Sequence, residues 1–184
     1  MGSLRIIAGE LRHRRIRTPH GLVARPTADR VREALFDILG SSVEEASVLD
    51  AYAGSGALGI EALSRGARCA TFVESDARVR EVLRSNLDGL SLSPRCRLLG
   101  GRVEQLLPLG RLGGPFDLVL ADPPWGATLA GQFLEALVTS EGLVAGGRVV
   151  VERDARTAPP DAPSSLRLGR TARYGGTCLD FYDG

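Results

Sequence analysis

The sequence predicts an α/β fold with a mostly parallel sheet and an antiparallel C-terminal strand. Apolar runs alternate with helical stretches from residue 47 onward, and a glycine-rich turn joins the first of these runs to the helix after it. The last two apolar runs are too close together for a helical crossover, so they predict a hairpin. At 184 residues, the chain suits a single domain with a substantial core.

We expect that domain, residues 1–184, to have a basic N-terminal extension at 1–40 and a core at 41–184. Two short strands at 4–8 and 14–18 predict a hairpin-like arm that stands apart from the core. A helix follows, for which Thr27 is the candidate cap. Its apolar residues Val31, Leu35 and Leu39 have helical spacing, and Gly40 is the stop signal.

In the core, each helix is expected to carry the chain from one parallel strand to the next. Strands are predicted at 47–51, 69–74, 95–99, 116–121 and 147–152, and helices at 57–65, 77–88, 103–107 and 128–138. A proline-rich loop at 159–163 then leads into the hairpin strands 165–170 and 177–182.

Composition excludes several classes of protein. Hydrophobic residues make up 43% of the chain, and no apolar run approaches the roughly 20 residues of a transmembrane helix. With no signal-like apolar stretch at the N-terminus, we expect a cytoplasmic protein. Cys69, Cys96 and Cys178 are widely separated, and both histidines lie in the N-terminal tail, so we expect neither a disulfide framework nor a metal site.

Positive charge is concentrated at the N-terminus. The whole chain carries a formal charge of +1, but residues 1–32 carry +6 and the remainder carries −5. Such a segment is typical of contact with a polyanion, because cations near phosphates release condensed counterions. A merely solvated basic face is the alternative. The candidate RNA-binding residues are Arg12, Arg14, Arg15, Arg17, Arg25, Arg30 and Arg32.

A glycine-rich loop between the first core strand and its helix predicts a nucleotide-type cofactor. Gly54, Gly56 and Gly59 form a GxGxxG pattern, and Glu74 follows Gly54 by 20 residues, where a carboxylate can accept both ribose hydroxyls. Asp50 would repel a pyrophosphate but would pair with the ammonium group of S-adenosylmethionine. S-adenosylmethionine is therefore favoured, with NAD(P) as the alternative.

The Asp122-Pro123-Pro124-Trp125 segment ends a predicted strand and should face the same crevice. The prolines hold an extended backbone, the Asp122 carboxylate and the Pro123 carbonyl can accept from an exocyclic amine, and Trp125 offers a stacking surface for a flipped-out base. A purely structural role for these residues is the alternative. A carboxylate only accepts hydrogen bonds, so Asp122 favours guanine, which has two adjacent donors, over adenine.

The residues quoted so far resemble the RsmD family of bacterial 16S rRNA guanine-N2 methyltransferases. The resemblance covers residues 4–182 and is most specific at 25–36, which read RPTADRVREALF. It implies a Rossmann-like class I methyltransferase that uses S-adenosylmethionine and acts on small-subunit rRNA, either in the ribosomal subunit or in an assembly intermediate. By resemblance, the cofactor binds at Asp50, Gly54, Gly56 and Glu74, and the base at Asp122, Pro123 and Trp125.

One departure from the family concerns the cofactor's adenine. Gly101-Arg102 stands where many methyltransferases have Gly-Asp, so we expect backbone groups near Val103 to hold that base. Three other functions stay open as alternatives. These are methylation of adenine N6 or of another amine, an NAD(P)-dependent oxidoreductase, and a non-catalytic RNA-binding module.

Overall fold

The computed structural model describes residues 2–19, 26–124 and 127–184. An N-terminal hairpin consists of β1 (Gly2–Arg5) and β2 (Arg15–Thr18), which pair antiparallel. Helix α1 (Pro26–Leu39) follows and ends before a short 3-10 turn at Gly40–Val43. The side chain of Thr27, the expected cap, lies outside the described part of the chain.

The core alternates strands and helices as the sequence predicts. Its strands are β3 (Ser47–Asp50), β4 (Cys69–Glu74), β5 (Cys96–Gly100), β6 (Phe116–Ala121), β7 (Leu143–Asp154), β8 (Arg167–Tyr174) and β9 (Thr177–Asp183). Its helices are α2 (Ala57–Ser64), α3 (Ala77–Gly89), α4 (Val103–Leu106) and α5 (Ala127–Thr139). Within the described ranges, no helix has both the length and the apolar character needed to cross a membrane.

The seven core strands form one sheet in the order β5-β4-β3-β6-β7-β9-β8. The first five of these run parallel, while β9 lies antiparallel between β7 and β8. The expected antiparallel end of the sheet is thus confirmed. The strand order reverses between β3 and β6, and in open α/β sheets a crevice for ligands opens at such a reversal, at the carboxyl ends of the strands.

Strand β7 is twice as long as the sequence pattern suggests, with 12 residues. Its first residue, Leu143, pairs with Phe116, and an irregularity follows where Gly146 adopts a φ of +74°. Beyond the end of β6, the strand continues to Asp154 because β9 pairs with it as far as Thr177. Long-range pairing, which local alternation does not record, therefore sets the length of β7.

The expectation that the basic arm stands apart from the core is wrong. Ile6 and Ile16 are 2% and 3% exposed and belong to the main hydrophobic cluster. The Glu61 carboxylate, on α2, accepts hydrogen bonds from the N–H groups of Ile7 and Ala8 at 2.9 and 3.0 Å. The apolar side of the hairpin is buried against the core, so only its polar side is free to carry the arginines.

Close packing at Gly9 fixes the docked position of the hairpin. Gly9 has a φ of +80°, and a Cβ atom added there would lie 1.7 Å from the carbonyl oxygen of Ser64. The next residue, Glu10, donates its N–H to that same oxygen at 2.8 Å. Only glycine allows this approach of the two backbones.

Candidate active site

Two neighbouring cavities open at the carboxyl ends of the parallel strands. One has a volume of about 220 Å³ and is bordered by α1 and α2, while the other, of about 560 Å³, extends past β4 towards α4. Tyr52, Gly54 and Asp122 line both cavities. A ligand that fills the crevice would therefore pass directly between the glycine loop and the Asp122 corner.

The glycine loop has the backbone that its sequence predicts. Gly54 and Gly56 have φ values of +54° and +85°, a region that favours glycine. A Cβ atom on Gly56 would come within 2.4 Å of the Leu83 side chain, which holds the loop against α3. The Gly54 N–H donates to the Glu74 carboxylate at 3.0 Å, so the two sites predicted to hold the cofactor are in direct contact.

Asp50 lies at the end of β3 with its side chain 1% exposed. Its carboxylate accepts a hydrogen bond of 2.8 Å from the Gly59 N–H on α2. Burial raises the pKa of Asp50 to about 7; the Gly59 hydrogen bond opposes this shift, and the charges of Asp122 and Glu74 add to it. A cationic group in the crevice would lower the pKa of Asp50 again, because it would pair with the charged carboxylate.

Asp122 and Pro123 follow β6 at the mouth of both cavities. The Asp122 side chain is open to the crevice, yet protein atoms surround much of it and raise the pKa of its carboxyl above the ordinary range. Pro123 is buried, which anchors the corner to the core. Trp125, the expected stacking residue, lies outside the described residues, so its role stays a prediction.

The structure adds Glu152, which the sequence analysis missed. Glu152, in β7, lines the 220 Å³ cavity together with Asp50 and Asp122. Burial raises the pKa of its carboxyl, and the charge of Asp122 raises that pKa further. The strand-end rule that pointed to Asp122 could have found it, because 147–152 was predicted as a strand of the same parallel sheet.

The 560 Å³ cavity has an apolar side, at Val103, and a polar side, at Glu104. Val103 is fully buried at the start of α4 and lines the cavity with Gly101 and Arg102. The Tyr52 hydroxyl donates to the Glu104 carboxylate at 2.5 Å and its ring meets Phe133 edge to face. Sequence reasoning did not single out Glu104, although it lies two residues after the position where many methyltransferases have an aspartate.

The basic residues of the N-terminal segment differ in exposure. Of the seven candidate RNA-binding residues, five are exposed, four of them around the hairpin and one on α1: Arg12, Arg14, Arg15, Arg17 and Arg30. Arg25 lies outside the described residues. The exposed group is available to a large polyanion, but its role in RNA binding stays a prediction.

Arg32, another candidate RNA contact, has a side chain that is only 5% exposed, and its role in RNA binding stays a prediction. Its guanidinium donates to the Arg5 carbonyl at 2.7 Å and to the Asp29 carboxylate at 3.1 Å, and its Nε lies 3.8 Å from Glu61. Arg32 thus ties α1 to the hairpin and to α2. It also borders the 220 Å³ cavity, so its place is inside the crevice rather than on the outer surface.

Within the described ranges, no group of three or more His, Cys, Asp or Glu side chains is arranged to hold a metal ion. The three cysteines are all free thiols.

Comparison with known proteins gives a consistent result over almost the whole chain. The family model "Conserved hypothetical protein 95" matches residues 4–183. Ribosomal RNA small subunit methyltransferase D of Escherichia coli is 35% identical over 181 residues, covering 98% of this chain and 90% of that protein. The homologous protein of the same name from Haemophilus influenzae is 36% identical over 154 residues, covering 83% of this chain and 80% of its own.

A solved structure agrees with these sequence matches. The structure of "Putative methyltransferase yhhF from Escherichia coli" superposes with a TM-score of 0.89 at 36% identity, covering 99% of this chain and 98% of that one. The fold is accordingly that of the class I methyltransferases. From the family match, the relatives and the shared fold, we conclude that the chain belongs to the conserved hypothetical protein 95 family, which includes the RsmD methyltransferases.

Proposed function

We propose that this protein transfers a methyl group from S-adenosylmethionine to the exocyclic N2 amine of a guanine in the 16S rRNA of the small ribosomal subunit. The observation that carries the proposal is the position of Asp122, which lines both cavities together with Gly54 of the glycine loop. Other carboxylates line the same cavities. The names of the relatives supply the substrate class, since they are methyltransferases of small-subunit rRNA.

The charges along the crevice favour S-adenosylmethionine over a dinucleotide. Asp50, Glu74, Asp122 and Glu152 line the two cavities, and such a group of acids would repel a pyrophosphate. The amino-acid part of S-adenosylmethionine carries an ammonium group that suits Asp50, and the ribose hydroxyls suit Glu74. When bound, the cofactor would supply a methyl group activated on a sulfonium.

The Asp122 corner is the acceptor side of the reaction. A guanine amine is a weak nucleophile because its lone pair is delocalised into the ring. Hydrogen bonds from the amine to the Asp122 carboxylate and the Pro123 carbonyl would localise that pair and align it with the methyl carbon. Bound S-adenosylmethionine would supply the methyl group, with the electron pair of the broken S–C bond left on its sulfur. The Asp122 carboxylate would accept the proton that the amine nitrogen loses as its new N–C bond forms.

The exposed arginines around the hairpin are evidence for an rRNA substrate whose phosphate backbone lies outside the crevice. A phosphate backbone could not lie among the acids of the site, whereas Arg12, Arg14, Arg15 and Arg17 are exposed around the hairpin. We infer that these residues hold the RNA backbone while a single base enters the crevice. The substrate would be a small subunit or one of its assembly intermediates, and such a substrate implies work in the cytoplasm.

Substitution of Asp122 tests the proposal. Asp122→Asn should keep the melting temperature and the affinity for S-adenosylmethionine, because the residue is open to the crevice and makes no structural ion pair among the described residues. Transfer of labelled methyl to small subunits should fall about a hundredfold, as expected when a transition-state contact is lost. Unchanged transfer would contradict the role of Asp122, and no transfer by the wild-type protein would contradict the proposed function.

A further inference from the structure

Glu152 and Asp122 occupy matching positions just after the last residue pair that joins β6 to β7. Ala121 of β6 pairs with Val151 of β7, and in each segment the residue that follows is an acid. Both acids line the 220 Å³ cavity. Two carboxylates therefore border the space in which the target base would lie.

Glu152 lies in surroundings that do not compensate its charge. A small void beneath it is lined by apolar side chains: Leu35, Leu58, Leu120, Val150 and Leu179. Throughout the described part of the chain, no group donates a hydrogen bond to the Glu152 carboxylate, and no basic side chain pairs with it. A carboxylate in such a place costs stability unless a ligand supplies donors.

The fully buried acids of this protein differ from Glu152, which is half-buried, because each of them has its own donors. Asp50 accepts from the Gly59 N–H, and Glu61 accepts from two backbone N–H groups and from Arg65. Asp180, which is fully buried, pairs with Arg153 and accepts from the Thr171 hydroxyl. The fold thus satisfies its structural acids, which points to a functional reason for leaving Glu152 unsatisfied.

We propose that Glu152 is a specificity-determining residue that accepts the N1–H of the target guanine, beside the N2 amine held by Asp122. The inference rests on the proposed function and goes beyond it by dividing the guanine edge between two carboxylates. Guanine presents N1–H and N2–H₂ as adjacent donors, whereas adenine presents an acceptor at N1. Glu152 would therefore attract guanine and repel adenine, so that discrimination comes from both a favourable and an unfavourable contact.

Replacement of guanine by 2-aminopurine probes this contact, and the comparison of two proteins separates it from the loss of O6, which is the same for both. The base 2-aminopurine keeps the N2 amine but has an unprotonated N1 that only accepts hydrogen bonds. A synthetic RNA segment carrying guanine or 2-aminopurine at the methylated position can be ligated into small-subunit rRNA, which is then reconstituted into subunits. Methyl transfer to both particles is measured with the wild-type protein and with Glu152→Gln, whose amide can donate to that N1.

We expect the wild-type protein to prefer guanine, and Glu152→Gln to reduce the guanine to 2-aminopurine rate ratio at least tenfold. The variant should bind S-adenosylmethionine as the wild type does and melt at the same or a higher temperature, because a neutral amide is less costly to bury. Glu135→Gln, which removes an exposed acid of α5, is the matched control and should change neither rate.

Two outcomes would overturn the inference. One is an unchanged rate ratio, whether or not both rates fall equally, and the other is a loss of stability that accounts for the lower activity. An unchanged ratio would mean that Asp122 alone accepts both donors. A failure of the wild-type protein to methylate the guanine particle would instead contradict the proposed function, so the two failures are distinguishable.

Discussion

The Glu74 carboxylate accepts a hydrogen bond from the Gly54 N–H at 3.0 Å, which joins the end of β4 to the glycine loop. Its other oxygen accepts from the Asp76 N–H at 2.7 Å. Both oxygens are thus oriented by the backbone before any ligand binds. A carboxylate held in this way needs little rearrangement to accept the two hydroxyls of a ribose, and such preorganisation favours binding.

We predict that Glu74→Gln weakens S-adenosylmethionine binding about tenfold to a hundredfold, because the variant loses a charged acceptor worth about 1.5 to 3 kcal/mol. Isothermal titration calorimetry measures the effect, with Glu81→Gln, an exposed acid on α3, as the control. Titration with NADH belongs in the same experiment. Tight binding of NADH by the wild-type protein, with no response to S-adenosylmethionine, would contradict the assignment of the cofactor.

The buried Asp50 predicts a dependence of stability on pH. Its pKa is about 7 in the folded protein against an ordinary value of 3.8. Between these values the folded state binds more protons than the unfolded state, so the free energy of unfolding falls as the pH rises from about 4 to 7. Urea denaturation of the ligand-free protein should show this fall.

Comparison with Asp50→Asn isolates that contribution, because Asp122 and Glu152 remain in both proteins. The asparagine oxygen can still accept from the Gly59 N–H, but the side chain does not titrate. The variant should therefore lose less stability than the wild type between pH 4.5 and pH 7.5. Parallel profiles would show that Asp50 is not the group responsible.

Much of this arrangement could be predicted from the sequence because local rules determine it. Gly54, Gly56 and Glu74 follow from a strand-turn-helix pattern with fixed spacing, and Asp122 follows from its place after a strand. The same strand-end rule could have singled out Glu152. Local patterns do not contain the pairing of β6 with β7 that places Glu152 beside Asp122, or the pairing with β9 that lengthens β7. The same limit explains why the burial of Arg32 could not be predicted, since it depends on Glu61, 29 positions further along the chain.

Docking of the hairpin predicts an unequal response of two glycines to substitution by alanine. Gly9→Ala should cost more than the roughly 1 to 2 kcal/mol of a left-handed conformation, since the new Cβ would clash with the Ser64 carbonyl oxygen. Gly40→Ala is the matched control. It also has a positive φ, of +53°, but no atom within 4 Å of the added Cβ. Equal losses of stability in chemical denaturation would show that the Gly9 contact is not tight in solution.

The exposed arginines of the hairpin predict a salt-dependent contribution to RNA binding. Replacing Arg12, Arg14 and Arg15 by alanine should weaken binding to small subunits, while affinity for S-adenosylmethionine stays unchanged. Each lost phosphate contact should reduce the slope of log affinity against log salt by about 0.7 to 0.9. Filter binding at several salt concentrations measures the slope.

A second triple variant controls for net charge in that experiment. Arg167, Arg170 and Arg173 are exposed on β8, at the edge of the sheet, and their replacement removes the same formal charge. The control should keep the wild-type slope. If both triple variants change the slope equally, total charge rather than the hairpin governs binding.

The identity of the methylated nucleoside tests the central proposal most directly. Small subunits that lack the modification are incubated with the purified protein and S-adenosylmethionine, and the rRNA is digested and analysed by mass spectrometry with mapping of the modified fragment. We predict N2-methylguanosine at one position of the 16S rRNA, and about a hundredfold less of it when Asp122→Asn replaces the wild-type protein at the same concentration and time. A methylated adenine, or no methyl group in the rRNA, would contradict the account.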